Sequence, residues 1–300
     1  MHKLKTLIFA TAICLLFAGS SYAQGSAGAG AAKEAAVDVP MLFRGPSPAV
    51  EVMVNGKGPF IFAIDTGAQG SARVDSSLVE KLGLKPAGQI QAGDGSGMST
   101  RTMDIIKLDS LAVGNLRFQN VEAPTRNYNM NPNAPHVDGI IGFNLFADYL
   151  LTLDFPAKRV RVERGELPKA DEKEVLSYDG SRGIPIIEMS VGSLKVNAHI
   201  DSGNMSGGVV VPESLVQQLQ LASEPKVVGK AKTVSNEFEI KEAALKGSVR
   251  LGRYEFNDPL ITFAPIFRDA NVGAKMLGSF TLTFDQKNHR VRFIRKDAAG

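Results

Sequence analysis

Apolar and polar residues alternate along Val50-Glu51-Val52-Met53-Val54 and stop at Asn55-Gly56, the pattern of a half-buried strand entering a tight turn. Phe60-Ile61-Phe62-Ala63-Ile64 is a continuous apolar run of strand length, as a fully buried strand requires. Ile105–Val113, Phe118–Val121 and Leu150–Phe155 predict further strands. Helical patterning is scarce. One short helix is expected at about 76–82, where Ser77-x-x-Glu80 makes a capping box and Gly83 a stop. A second is expected at about 213–220, after Pro212, and a third at Phe143–Tyr149. Many strands with few helices predict a mostly β fold built as paired barrels rather than an α/β sheet.

The pattern occurs twice. Asp65 and Asp201 align 136 positions apart, each after a strand and before a short helix. Ile140-Ile141-Gly142 aligns with Met276-Leu277-Gly278 at the same offset. Thr152-Leu153-Asp154-Phe155 aligns with Thr283-Phe284-Asp285-Gln286. On this alignment the second copy is five residues shorter after its glycine, which deletes the Phe143–Tyr149 helix. The units are set at 42–165 and 183–297, with a linker at 166–182 rich in charge, Pro and Gly.

The N-terminus differs from both units. Residues 1–23 combine Lys3 and Lys5, an apolar run from Leu7 to Ala18 and small residues at Ser21 and Ala23, the three-part pattern of a cleaved export signal. That run is shorter than the about 18–20 apolar residues of a membrane span. Residues 24–41 read as a flexible lead-in. A periplasmic or secreted protein with no membrane span after cleavage is expected.

Composition mainly removes options. At 44% hydrophobic and 22% charged, the chain is neither collagen-like nor wholly disordered. The 34 Lys+Arg against 31 Asp+Glu become 32 against 31 without Lys3 and Lys5, and the bases are scattered, so nucleic acid is not an expected partner. The one cysteine, Cys14, lies within the export signal, which removes disulfides, thiolate metal sites and cysteine nucleophiles from the mature chain. The four histidines are far apart and no His-Glu-x-x-His occurs, so neither a metal nor another cofactor is expected.

The candidate chemistry lies in Asp65-Thr66-Gly67 and Asp201-Ser202-Gly203. A carboxylate at the end of a buried strand must find hydrogen bonds or give up its charge. The glycine permits a tight turn, and the Thr66 or Ser202 hydroxyl can bond neighbouring backbone. Two such carboxyls brought together share one proton. The ionised one can then activate a water while the protonated one polarises a peptide carbonyl.

Together with Ile140-Ile141-Gly142 and Met276-Leu277-Gly278, these motifs resemble those of the aspartic peptidases, both the two-lobed pepsin-like enzymes and the dimeric retropepsins. The similarity runs over nearly all of the mature chain and is greatest to exported bacterial retropepsin-like proteins. It implies two pseudo-symmetric acid-protease β-barrel lobes with a cleft between them. It also implies Asp65 and Asp201 as catalytic residues, Thr66, Gly67, Ser202 and Gly203 as their support, and a peptide or protein as substrate. The apolar-apolar-Gly strand is expected beneath the catalytic loop of its own lobe. Gly93, Asp94, Gly95, Ser96 and Gly97 stand where that family carries a substrate-binding flap, without the pepsin-type tyrosine.

Asn204 departs from the family's usual small or hydroxyl residue after Asp-Ser-Gly. His199 points to the same side of its strand as Asp201, either as a satisfied core histidine or as a group acting on the pair. Both departures keep open a catalytically silent fold that binds peptide or envelope material. A monomer is expected, with pairing of lobes between two molecules as the alternative.

Overall fold

The computed structural model describes residues 36–93, 100–205, 208–232 and 237–295. The expected export signal, most of the lead-in and Asp94, Gly95, Ser96 and Gly97 lie outside the described residues. The fold is mostly β, with two curled sheets, a third sheet that takes strands from both halves and four short helical segments among the described residues. No helix among the described residues is long and apolar enough to cross a membrane.

Ser47–Val54 and Lys57–Asp65 form the expected hairpin, with Asn55 and Gly56 both at positive φ (51° and 74°), as a two-residue turn between right-twisted strands requires. Phe60, Phe62 and Ile64 enter the core while Ile61 and Ala63 face the other side, so the continuous apolar run is an alternating strand with a partly covered second face. The helix Ser76–Leu82 lies where predicted and ends at Gly83, at φ 63°. Its N-terminal cap is Asp75, which accepts from the Ser77 N–H, rather than the expected Ser77–Glu80 box. Glu213–Gln218 is a single 3-10 segment after Pro212.

The two large sheets follow one wiring plan. In the first, Ser47–Val54, Lys57–Asp65, Gly139–Gly142, Ala72–Asp75, Leu116–Arg126, Thr100–Val113 and Pro86–Gly93 lie side by side. In the second, Ile186–Val191, Leu194–Asp201, Ala270–Gly273, Val209–Pro212, Leu260–Ala264, Glu237–Ala244 and Lys226–Lys232 take the same order. Asp65 pairs in parallel with Gly142, and Asp201 with Gly273.

That register corrects the sequence alignment. The counterpart of Ile140-Ile141-Gly142 is Asn271-Val272-Gly273, whereas Met276 and Leu277 belong to the short helix Ala274–Leu277 and Gly278 caps it. This helix matches the 3-10 turn Phe143–Phe146, so the segment expected to be deleted is present, and the five-residue shortening precedes Gly273. Asn271 hid the strand because it breaks the apolar-apolar-Gly pattern.

The third sheet joins the halves in the order Val37–Pro40, Arg159–Glu163, Leu150–Asp154, Thr281–Asp285, Arg290–Ile294, Val175–Ser177. Two expectations change here. The lead-in ends in a strand, because Val37 to Pro40 pair with Val162 to Arg159. The linker likewise contains a strand, because Val175 to Ser177 pair with Arg292 to Arg290. Both short strands alternate too briefly to stand out from their polar surroundings, and each closes an edge of the sheet. At the seam, Thr152 lies directly opposite Thr283, and their hydroxyl oxygens are 3.0 Å apart.

One hydrophobic cluster runs from Phe62 and Leu108 through Leu151, Leu153 and Phe284 to Phe263 and Val272. Phe143 meets Phe284 edge to face with ring centroids 5.4 Å apart, so the last strand pair of the chain packs on the first half. Phe284→Ala is expected to cost about 3–5 kcal/mol, the usual penalty for emptying a buried phenylalanine site. Leu260→Ala, at a largely exposed side chain, is expected to stay within about 0.5 kcal/mol. Denaturant midpoints of the two variants check both values.

Candidate active site

Asp65 is the last residue of Lys57–Asp65, and the chain turns sharply after it. The Ala68 N–H donates to the Asp65 carbonyl at 3.1 Å and the Gly67 N–H to Asp65 Oδ1 at 2.9 Å. The Gly139–Gly142 strand runs beneath the turn. There the Gly142 N–H donates to the Ser71 carbonyl and the Phe143 N–H to the Ala68 carbonyl. A Cβ at Gly142 would collide with the Gly70 carbonyl, which explains the glycine. In the second half, the Gly203 and Asn204 N–H groups donate to Asp201 Oδ1 at 2.9 and 3.0 Å. The Gly273 and Ala274 N–H groups donate to the Gly208 and Asn204 carbonyls.

The two turns interlock. The Thr66 hydroxyl donates to the Ile200 carbonyl at 2.6 Å and accepts the Ser202 N–H at 3.0 Å. The Ser202 hydroxyl donates to the Ile64 carbonyl at 2.7 Å and accepts the Thr66 N–H at 3.1 Å. Each hydroxyl therefore satisfies one buried donor and one buried acceptor of the opposite half. The two glycines set the approach. A Cβ at Gly67 would stand 2.5 Å from Asp201 Cγ, and one at Gly203 would be closer still to Asp65 Cγ. All six predicted site residues from Asp65 to Gly67 and Asp201 to Gly203 thus meet at one place. Gly93 ends the strand Pro86–Gly93, paired with Thr100, and the rest of the expected flap lies outside the described residues.

Both carboxyls are buried, and both are raised from the ordinary carboxylate range. Burial, followed by the charge of Asp201, holds Asp65 well above it, and Arg73 offsets this only in part. Oδ2 of Asp65 is buried and meets no hydrogen-bond donor. Burial also raises Asp201, but donation by Asn271 and the field of His199 pull the other way. Asn271 Nδ2 reaches Asp201 Oδ2 at 2.7 Å, and Asn204 Nδ2 holds Asn271 Oδ1 at 2.6 Å. When the pair carries one proton, these donors favour charge on Asp201 and leave the proton on Asp65.

His199 is buried, with Nε2 3.3 Å from Asp269 Oδ2, an oxygen that also accepts from Arg182 at 2.5 Å. It is both a partnered core histidine and a positive influence on Asp201. Asn204, read from sequence as a departure, is a working part of the Asp201 support. Asn271 was missed because the alignment placed the strand five residues late. Arg73, whose charge acts on Asp65, was missed because no linear motif joins the two. The interleaving of the buried strand Ala72–Asp75 with a charged residue was the available signal.

Residues 50–145 match the family model described as Aspartyl protease, which takes in Asp65 and the Gly139–Gly142 strand but less than half of the chain. No curated protein matches the chain.

The raised carboxyls fix the sign of a pH effect. An unfolded aspartate titrates near about 3.9. Asp65 binds its proton more tightly when folded, so the folded state gains relative stability at acid pH and loses it as pH rises above that value. Asp65→Asn is therefore expected to be more stable than the parent at neutral pH, with the gap closing below about pH 4. Thermal midpoints of the two proteins between pH 3 and 8 check this.

Proposed function

We propose that this chain is an aspartic endopeptidase that works as a single two-lobed molecule. The observation that carries the reading is the pair itself: two buried carboxyls from corresponding turns, locked together by reciprocal hydroxyl bonds, with surroundings that separate their proton affinities. The family match over the first half supports peptidase chemistry. The common wiring of the two sheets supports an internal duplication, and the shared third sheet supports completion of the site within one monomer. The pattern of residues 1–23 supports export to the periplasm or beyond.

In this reading the ionised Asp201 takes a proton from a water whose oxygen attacks the peptide carbonyl carbon. Asp65 gives its proton to the carbonyl oxygen as the tetrahedral species forms. Protons then return, the amide nitrogen receives one, and the C–N bond breaks. No covalent enzyme intermediate is needed. Asp65→Asn and Asp201→Asn are each expected to lower cleavage of a casein or mixed-peptide substrate by at least about 10²-fold. Full activity in Asp65→Asn defeats the proposal.

Asn271 gives the pair its direction. Replacing Asn271 by Ala removes a donor to the Asp201 carboxylate and so raises the pH at which that group ionises. The acid limb of kcat/KM is expected to move to higher pH in Asn271→Ala, as read from pH–rate profiles of variant and parent.

The same contact favours a second reading, a silent peptide-binding module. Asn271 donates to Asp201 Oδ2, the Gly203 and Asn204 N–H groups already bond Oδ1, and both aspartates are almost fully buried. That module would bind peptides without turnover and would be indifferent to pepstatin.

A further inference from the structure

The face of the first sheet that carries Asp65 also carries two arginines. Residues directly opposite in a sheet share a face, as do residues two apart on a strand. Asp65 is two residues beyond Ala63, Ala63 lies opposite Ile140, and Ile140 lies opposite Arg73. Arg73 is two residues before Asp75, which lies opposite Arg126. Asp65, Arg73 and Arg126 therefore form a row on one side of the sheet, with Tyr128 just beyond.

This row carries more positive charge than close ion pairs in the fold match. Arg73 is only 4% exposed, its charge acts on Asp65 and Tyr128, and it donates a long hydrogen bond, 3.4 Å, to the Gln69 carbonyl. Arg126 is half-buried and stands 5.8 Å from the centre of the Tyr128 ring. The Tyr128 hydroxyl is buried, with Arg73 as the donor that faces it and no partner at close hydrogen-bond geometry. Neither arginine forms an ion pair with a described residue. Asp75, opposite Arg126 in the row, accepts from Ser77 with Oδ1 and from the Tyr128 N–H at 2.7 Å with Oδ2. Asp65, on which the charge of Arg73 acts, is pushed by burial and by Asp201 toward its uncharged form. Buried guanidinium groups are normally matched by an anion, because desolvating them alone is costly.

We propose that Arg73, Arg126 and the Tyr128 hydroxyl form an anion-binding subsite beside Asp65 that takes an acidic side chain of the peptide substrate. The proposal rests on the peptidase reading and names its preferred substrate class. A carboxylate there accepts from both guanidinium groups and from the phenol, supplying the acceptor the fold leaves out. Glutamine has the same shape without the charge, so the subsite discriminates between the two by electrostatics.

The test uses the full chain and fluorogenic peptides in matched pairs, with Glu or Gln at each position either side of the cleaved bond. At one position the Glu peptide is expected to show kcat/KM at least about tenfold above its Gln partner. Arg126→Gln and Tyr128→Phe, at less buried positions than Arg73, are each expected to bring that ratio toward 1, whatever their absolute rates. Binding constants for the same pairs are measured in parallel. Cleavage without Glu preference at any position overturns the subsite and leaves the peptidase reading standing. Glu-selective binding that both variants abolish, without cleavage, overturns the peptidase reading and leaves the subsite. A Glu preference that survives both variants overturns the assignment to these residues.

Discussion

The structure depends on the exchange of hydroxyl hydrogen bonds between Thr66 and Ser202. Four buried backbone groups, one N–H and one carbonyl on each side, have their partner in the opposite half. An unsatisfied buried group costs about 1–3 kcal/mol, so separating the two turns without water is unfavourable at four points at once. The same exchange holds two carboxyls closer than their charges favour. Gly67 and Gly203 are then required, because any side chain would occupy the place of the facing carboxyl.

Symmetry of backbone does not extend to chemistry. The turns, their hydroxyls and the strands beneath them correspond closely, yet Ile140 in one half is replaced by Asn271 in the other. That exchange converts an apolar neighbour into a donor for Asp201 and draws Asn204 in behind it. On the other side, arginines and a tyrosine accompany Asp65. Two equivalent aspartates would have no preferred division of labour. Here their surroundings assign one, and in a low-dielectric site small differences in donor placement carry large weight.

The parts legible in the sequence were those set by local pattern. The hairpin at Asn55-Gly56, the strand into Asp65, the helix at 76–82 and the two Asp-hydroxyl-Gly turns all follow from adjacent residues. Three things were not legible. The strand at Asn271 failed the apolar template because its asparagine serves the site and not the core. The strands at Val37–Pro40 and Val175–Ser177 are defined by partners more than a hundred positions away, which no local pattern contains. The arginine row depends on three strands lying side by side, so bases that look scattered along the chain are neighbours in space.

The seam at Thr152 and Thr283 has a consequence for biogenesis. The two strands that meet there are 131 positions apart, so a chain emerging N-terminus first has its Leu150–Asp154 edge bare until the last strands arrive. An open edge of that kind is a template for a second nascent chain, and the geometry that closes the monomer would serve equally for a strand-exchanged dimer. Keeping young chains apart during this window is thus a demand placed on the cell by the architecture itself.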